Sequence, residues 1–302
     1  MDYILETSGL TKTYGNKKAL DNVSIHVAKG DIYGLVGRNG AGKTTLMKIT
    51  GGLANATSGS YTVFGKKGME IGSYANKRGL LIEDPGLLYD ENGIENLRIK
   101  CMIMGVKDKN EPKRLMEMVG LGDALKLKTK KYSFGMKQRL GLALALIGDP
   151  ELVILDEPIN GFDPQGIKAV RELILKKNEE GTTFVVSSHI LGELSRIATK
   201  YAFINNGKII EESTKEELLE KCRSKIVLIP DDVPKACTII ENMGIRDYKI
   251  KEDGVINIYE QLERTGDITN ALARESVATI EITRKYEELE DYYVNLVSGK
   301  EG

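Results

Sequence analysis

Eight residues restrict the possible folds of this chain more than any others. Gly37-Arg38-Asn39-Gly40-Ala41-Gly42-Lys43-Thr44 fits the pattern G-x-x-x-x-G-K-[ST]. Glycines without a Cβ let several backbone N–H groups converge on phosphate oxygens. The start of the following helix adds the positive end of its dipole. A lysine at this place neutralises β- and γ-phosphates, and the hydroxyl after it can ligate Mg²⁺. The flanks fit the pattern. Residues 32–36 (Ile-Tyr-Gly-Leu-Val) read as a buried strand running into the loop, and 44–50 reads as a helix leaving it. A flexible glycine turn would need neither flank.

The rest of the first two hundred residues supplies a matching frame. Residues 4–36 alternate polar and apolar around the turns Gly15-Asn16 and Lys29-Gly30, which predicts an N-terminal antiparallel sheet. Residues 94–148 read as mainly helical, with Leu97, Cys101 and Met104 at helical spacing. Two continuous apolar runs, 152–155 and 183–187, flank helix-like sequence at 165–177. Strands alternating with helices predict a parallel sheet covered on both faces.

Chemistry-bearing residues stand at the ends of those runs. Asp156 and Glu157 close the first run. There Asp156 can hold Mg²⁺ directly or through water, while Glu157 polarises a water for attack on a γ-phosphate. Acidic pairs are usually solvated surface, but one that ends a buried strand in a chain with a phosphate loop is not typical of them. Upstream, Tyr132-Ser133-Phe134-Gly135-Met136-Lys137-Gln138-Arg139 opens a helix. Ser133 can cap it and Gly135 permits close backbone approach, which makes a second phosphate-binding helix start. An ordinary capped helix explains the same local sequence equally well.

Composition narrows the partners. Lys and Arg number 43 and Asp and Glu 44, for a formal charge of −1, so no global basic field favours nucleic acid. With 41% hydrophobic residues, the chain can bury a sizeable core. Cys101, Cys222 and Cys237 form no C-x-x-C pair, and their odd number argues against a disulfide framework. The start, Met1-Asp2-Tyr3, does not read as a secretory signal. The longest apolar stretch, 140–147, is far short of the ~20 residues that span a bilayer. Any action at a membrane is therefore expected to go through another protein.

After about residue 223 the character changes. Residues 225–229 read as a strand, 234–243 as a helix, 248–250 and 255–258 as a hairpin about Asp253-Gly254, 267–275 as a helix and 279–282 as a strand. This β-α-β-β-α-β order predicts a small α+β, ferredoxin-like module over 223–302, beside a first domain over 1–222. A last helix over 286–297 would place Leu289, Tyr293, Leu296 and Val297 on one face.

The order of motifs resembles the ATP-binding cassette (ABC) ATPases. Residues 37–45, then 133–139, then 152–157, then Asn160-Gly161-Phe162-Asp163, then Ser187-Ser188-His189 look like their P-loop, signature, Mg²⁺/base strand, D-loop and switch histidine. The resemblance covers residues 3 to about 220. It implies an α/β P-loop NTPase fold: a RecA-like core, an antiparallel β subdomain and a helical subdomain over about 90–150. It implies ATP and Mg²⁺ as ligands. Gly37, Asn39, Gly40, Ala41, Gly42, Lys43, Thr44 and Thr45 would cradle the phosphates, Tyr14 would stack on adenine, and His189 would sense the γ-phosphate. It also implies a head-to-tail dimer in which Ser133, Gly135 and the Asp163 loop of one copy complete the site of the other.

Three departures stand out. Phe134 takes the place of the signature's first glycine, and Met136 that of its glutamine. The family's usual glutamine beside the helical subdomain falls in Leu80-Leu81-Ile82-Glu83-Asp84-Pro85, where Glu83 aligns. By the resemblance Glu83 would lie near the γ-phosphate and Mg²⁺, in catalysis and as a metal ligand. Glu83 and the Tyr-Ser-x-Gly-Met-Lys-Gln-Arg signature are similar to the bacitracin-resistance and lantibiotic-immunity exporters. That likeness implies an integral membrane permease as partner and a cytoplasmic site on the inner face of the membrane. The rival is a soluble ABC ATPase of repair or translation. The first would need a long coiled coil within 45–130 and the second two cassettes, and the sequence has neither.

Overall fold

The computed structural model describes residues 3–286 and 289–298, apart from the side chains of 69–73, 290 and 297. It divides into two compact units, Met1–Lys215 and Glu216–Gly302; the sequence reading put the change at 222.

The first unit opens with β1 (Tyr3–Tyr14) and β2 (Lys17–Ala28), followed by β3 (Ile32–Val36), α1 (Lys43–Thr50), β4 (Ser58–Val63), β5 (Lys66–Lys67) and β6 (Arg78–Leu81). Three helices come next: α2 (Gly93–Met104), α3 (Glu111–Met118) and α4 (Phe134–Ala145). Then follow β7 (Leu152–Leu155), α5 (Pro164–Glu179), β8 (Thr183–Ser188), α6 (Leu191–Leu194), β9 (Lys200–Asn205) and β10 (Lys208–Thr214), with α7 (Lys215–Lys221) beginning at the unit boundary.

β1 and β2 pair antiparallel about the Gly15 turn and extend into a four-stranded sheet of order β2-β1-β4-β5. The second sheet has the order β10-β9-β3-β8-β7-β6. Its pairings are parallel from β9 through β3, β8 and β7 to β6, and only β10 is antiparallel. Every residue of β3, β7 and β8 is buried, as strands covered on both faces require. One apolar core joins the two sheets through Leu46, Met47 and Ile49 of α1.

This topology sets the site. Because β3, β7 and β8 run parallel, their carboxyl ends share one edge: Val36 lies beside Ser188, and Leu155 beside Val186. The phosphate loop, the Asp156-Glu157 pair and His189 therefore leave the sheet together, in the crevice where open α/β sheets place ligands. The helical stretch is seated on the other flank. A Cβ on Gly79 of β6 would lie 1.7 Å from the Ala145 carbonyl of α4, so only glycine lets helix and strand approach this closely.

The second unit contains β11 (Lys225–Pro230), α8 (Val233–Asn242), β12 (Tyr248–Ile250), β13 (Ile256–Ile258), α9 (Thr265–Arg274), β14 (Thr279–Lys285) and α10 (Leu289–Ser298). Its strands form an antiparallel sheet of order β12-β13-β11-β14. Ile226, Leu228, Ile256 and Ile258 pack against Ile240, Ile268 and Leu272 of the two helices before α10. Gly254 turns the hairpin at φ 82°. Of the expected last helix, Glu287, Glu288 and the Val297 side chain lie outside the described residues. Among the described residues no helix is long and apolar enough to cross a membrane.

Candidate active site

The phosphate loop is held by neighbours that leave no room for side chains. A Cβ on Gly37 would meet the Ile204 carbonyl at 2.6 Å. Gly42 sits at φ 115°, a conformation open to glycine alone, against the Ala19 carbonyl. The loop therefore curls back on its own lysine. Lys43 is buried, and its Nζ donates to the Gly37 carbonyl at 2.6 Å and pairs with Glu157 Oε1 at 3.1 Å.

The two carboxylates are each fixed on both sides. Asp156 accepts from Thr44 Oγ1 at 2.6 Å and from Ser187 Oγ at 2.6 Å. Ser187 Oγ in turn accepts the Glu157 N–H at 2.8 Å. Glu157 takes φ 49°, rare for a residue with a side chain. That conformation is costly, and here it aims the carboxylate between Lys43 and His189, whose Nδ1 lies 2.9 Å from Glu157 Oε2. Ser187 stands in the motif that ends in His189, but nothing in the sequence assigned it a role of its own. A hydroxyl at the end of an apolar run, two residues before a histidine, was the available signal.

Of these groups, Lys43, Thr44 and Glu157 line an open cavity of about 1100 Å³ with Tyr14, Asn39, Gly40, Gly42 and Thr45 in its wall; Asp156 and His189 touch Thr44 and Glu157 without lining it. Lys17, Lys18 and Arg38 line it too, and sequence reasoning named none of them for the site. A cavity walled by cations and backbone N–H groups is suited to a polyphosphate. Mg²⁺ prefers oxygen and uses one or two carboxylates beside substrate phosphates. The Asp156 carboxylate and Thr44 hydroxyl, already in contact, fit that requirement.

Ser133, Gly135 and Asp163 lie elsewhere. They line a second cavity, of about 1030 Å³, that shares no lining residue with the first. Ser133 caps α4 by accepting the Met136 N–H at 3.3 Å, and no acidic residue lies in the first turn. A Cβ on Gly135 would find nothing closer than Phe162 at 3.9 Å, so the backbone there is open to approach. Asp163 caps α5 through the Gly166 N–H at 2.9 Å. The Phe134 ring is exposed and lies against Gly161.

Glu83 takes a third place. It stands just past β6 at φ 61°, its side chain 59% exposed, and pairs with Lys48 of α1 at 2.8 Å. It does not line the phosphate cavity, and among the described residues no three acidic, histidine or cysteine side chains gather as a metal cluster.

Residues 20–160 match the family model described as ABC transporter. The chain is 39% identical over 302 residues to the bacitracin transport ATP-binding protein BcrA of Bacillus licheniformis, covering 99% of each. It is 43% identical over 209 residues to the lantibiotic transport ATP-binding protein SrtF of Streptococcus pyogenes, covering 69% of this chain and 90% of that one. Among solved structures, one described as the ATP-binding subunit of an ABC transporter is 27% identical, with a TM-score of 0.66 over 72% of this chain and 92% of that one. A dimeric bacterial ABC transporter cassette is 25% identical, with a TM-score of 0.65 over 70% and 98%.

Proposed function

This chain belongs to the ABC transporter family as an ATP-binding, ATP-hydrolysing subunit, and on that premise we propose that it powers export of antimicrobial peptides through a partner permease. The observation that carries the hydrolytic part is the convergence of Lys43, Glu157 and His189 beside the Asp156–Thr44 pair. Lys43 and the loop N–H groups hold the β- and γ-phosphates. Thr44 and Asp156 would hold Mg²⁺, which would supply charge neutralisation at the phosphate oxygens. Glu157 takes a proton from the attacking water, and His189 orients the Glu157 carboxylate and meets the γ-phosphate. Tyr14 stacks on the base.

The site is completed by a second copy. Ser133, Gly135 and the Asp163 loop belong to a different cavity from Lys43, so a nucleotide in the first cavity reaches a signature helix only if another chain supplies it. A dimeric cassette of similar fold supports this arrangement. ATP would close two such sites and hydrolysis would open them, and the permease would turn that motion into export. The chain thus works at the inner face of the membrane through its permease.

Peptide cargo of the bacitracin type is supported by likeness over 99% of the chain, which includes the second unit, whereas the lantibiotic relative matches 69%. For the second unit we propose a ferredoxin-like fold, supported by its β-α-β-β-α-β order and antiparallel β12-β13-β11-β14 sheet. Glu83 is proposed to adjust the charge near Mg²⁺ from the start of the segment between β6 and α2. The test is tolerance to bacitracin in cells carrying this chain and its permease. Wild type should protect and Lys43→Ala should not; equal sensitivity of both would reject the cargo.

A further inference from the structure

Tyr14 ends β1 and lines the phosphate cavity, with half of its surface exposed. Lys12 lies two residues earlier, on the same face of the strand. Its Nζ lies 4.8 Å from the centre of the Tyr14 ring and donates to the Asn55 carbonyl at 2.7 Å. Lys12 itself does not line the cavity. The ammonium therefore covers the ring without occupying the space in front of it. Two more bonds tie the same stretch to the loop after α1: Thr57 N–H donates to the Thr11 carbonyl at 2.8 Å, and Thr13 N–H to Thr57 Oγ1 at 3.0 Å.

We propose that Lys12 is a positioning residue for the nucleotide base, holding the Tyr14 ring from behind so that its free face meets the purine. The proposal rests on the reading of Tyr14 as the base-stacking residue. An exposed tyrosine at a turn otherwise samples several rotamers, and stacking would have to offset their loss. The Asn55 carbonyl fixes Lys12, and Lys12 fixes the ring. The cation also draws the ring's π density toward itself, which makes the opposite face a better partner for an electron-rich base. Asn55 follows α1, the helix that carries Lys43 and Thr44 at its start, so base and phosphate ends of the cavity are braced by one segment.

Titration of the full-length chain with Mg·ATP and, separately, with magnesium tripolyphosphate tests this, because only ATP carries a base. Lys12→Met should weaken ATP binding about threefold, the scale of an exposed cation–π contact. It should leave tripolyphosphate affinity and kcat unchanged. Lys12→Arg, whose planar cation also stacks on rings, should restore ATP affinity. In a Tyr14→Leu background, Lys12→Met should add nothing. Equal weakening of both ligands, or the same loss without Tyr14, overturns the proposal. So does wild-type ATP affinity in Lys12→Met while Tyr14→Leu is impaired. Unchanged ATP affinity in Tyr14→Leu itself instead removes the stacking reading.

Discussion

Glu157 is the residue proposed to activate the attacking water, and the sequence sets it beside Asp156 at the end of an apolar strand. Its left-handed backbone and its position between Lys43 and His189 were not legible there, because both depend on strands distant in the chain meeting at one edge. Glu157→Gln keeps the shape and one acceptor but removes the base. It should retain ATP binding and lose turnover by a factor on the order of 10² or more; near-normal steady-state hydrolysis would reject the assignment. Glu83 was legible only as a departure from a family pattern, and the structure gives it a partner, Lys48, that no spacing announced. Glu83→Gln removes one negative charge from the segment that follows β6. ATP should still bind, and the ATPase rate should depend less steeply on Mg²⁺ concentration, since less like charge then needs neutralising. Superimposable Mg²⁺ titrations would leave Glu83 as the partner of Lys48 alone.

At the scale of elements, long apolar runs and glycine turns announced β3, β7, β8, α5 and the second-unit hairpin. β9 and β10 went unread although Asn206-Gly207 between them takes φ 47° and 75°, the geometry of a tight hairpin. The reason lies in β10, where Lys208, Glu211 and Glu212 and a register shift between Ile209 and Glu211 break the alternation. Glu212 of that strand ties the two sheets. It accepts from Tyr33 Oη at 2.7 Å and from the His26 N–H at 3.0 Å, and pairs with Lys200 at 3.1 Å. Burial opposes its ionisation, but the bonds from Tyr33 and His26, with Lys200, outweigh burial and hold its pKa below the usual glutamate value. A depressed folded pKa stabilises the fold above the unfolded value of about 4.5, and that stability is lost as pH falls through the lower folded value. Tyr33→Phe removes a bond to a charged group, at a cost of about 2 kcal/mol. Urea midpoints at pH 7 should fall, and the gap from wild type should shrink on acidification below the ordinary glutamate value of 4.5, as Glu212 becomes protonated. A gap independent of pH would show that Tyr33 acts through packing instead.

The chain divides into two compact units after Lys215, and the sequence changes pattern a little later, near residue 223. The motifs of the first unit stand in the sequence, but their separation into two cavities was implied only by the family resemblance and not by the residues themselves. Local sequence marks Ser133 as a helix cap and Lys43 as a phosphate ligand, and nothing in either spacing says that they face different openings. That separation is the basis for a site shared between copies, and mixing two inactive variants tests it most directly. Ser133→Arg spoils the signature face and leaves the phosphate loop; Lys43→Ala does the reverse. Alone, each variant should be inactive in ATP hydrolysis. Mixed, a heterodimer regains one site, in which the Lys43 of one chain faces the Ser133 of the other, and the ATPase rate should rise well above the sum of the two variants measured separately. A mixture no more active than that sum, at every ratio and with mixed dimers demonstrably formed, would contradict a site built from two chains.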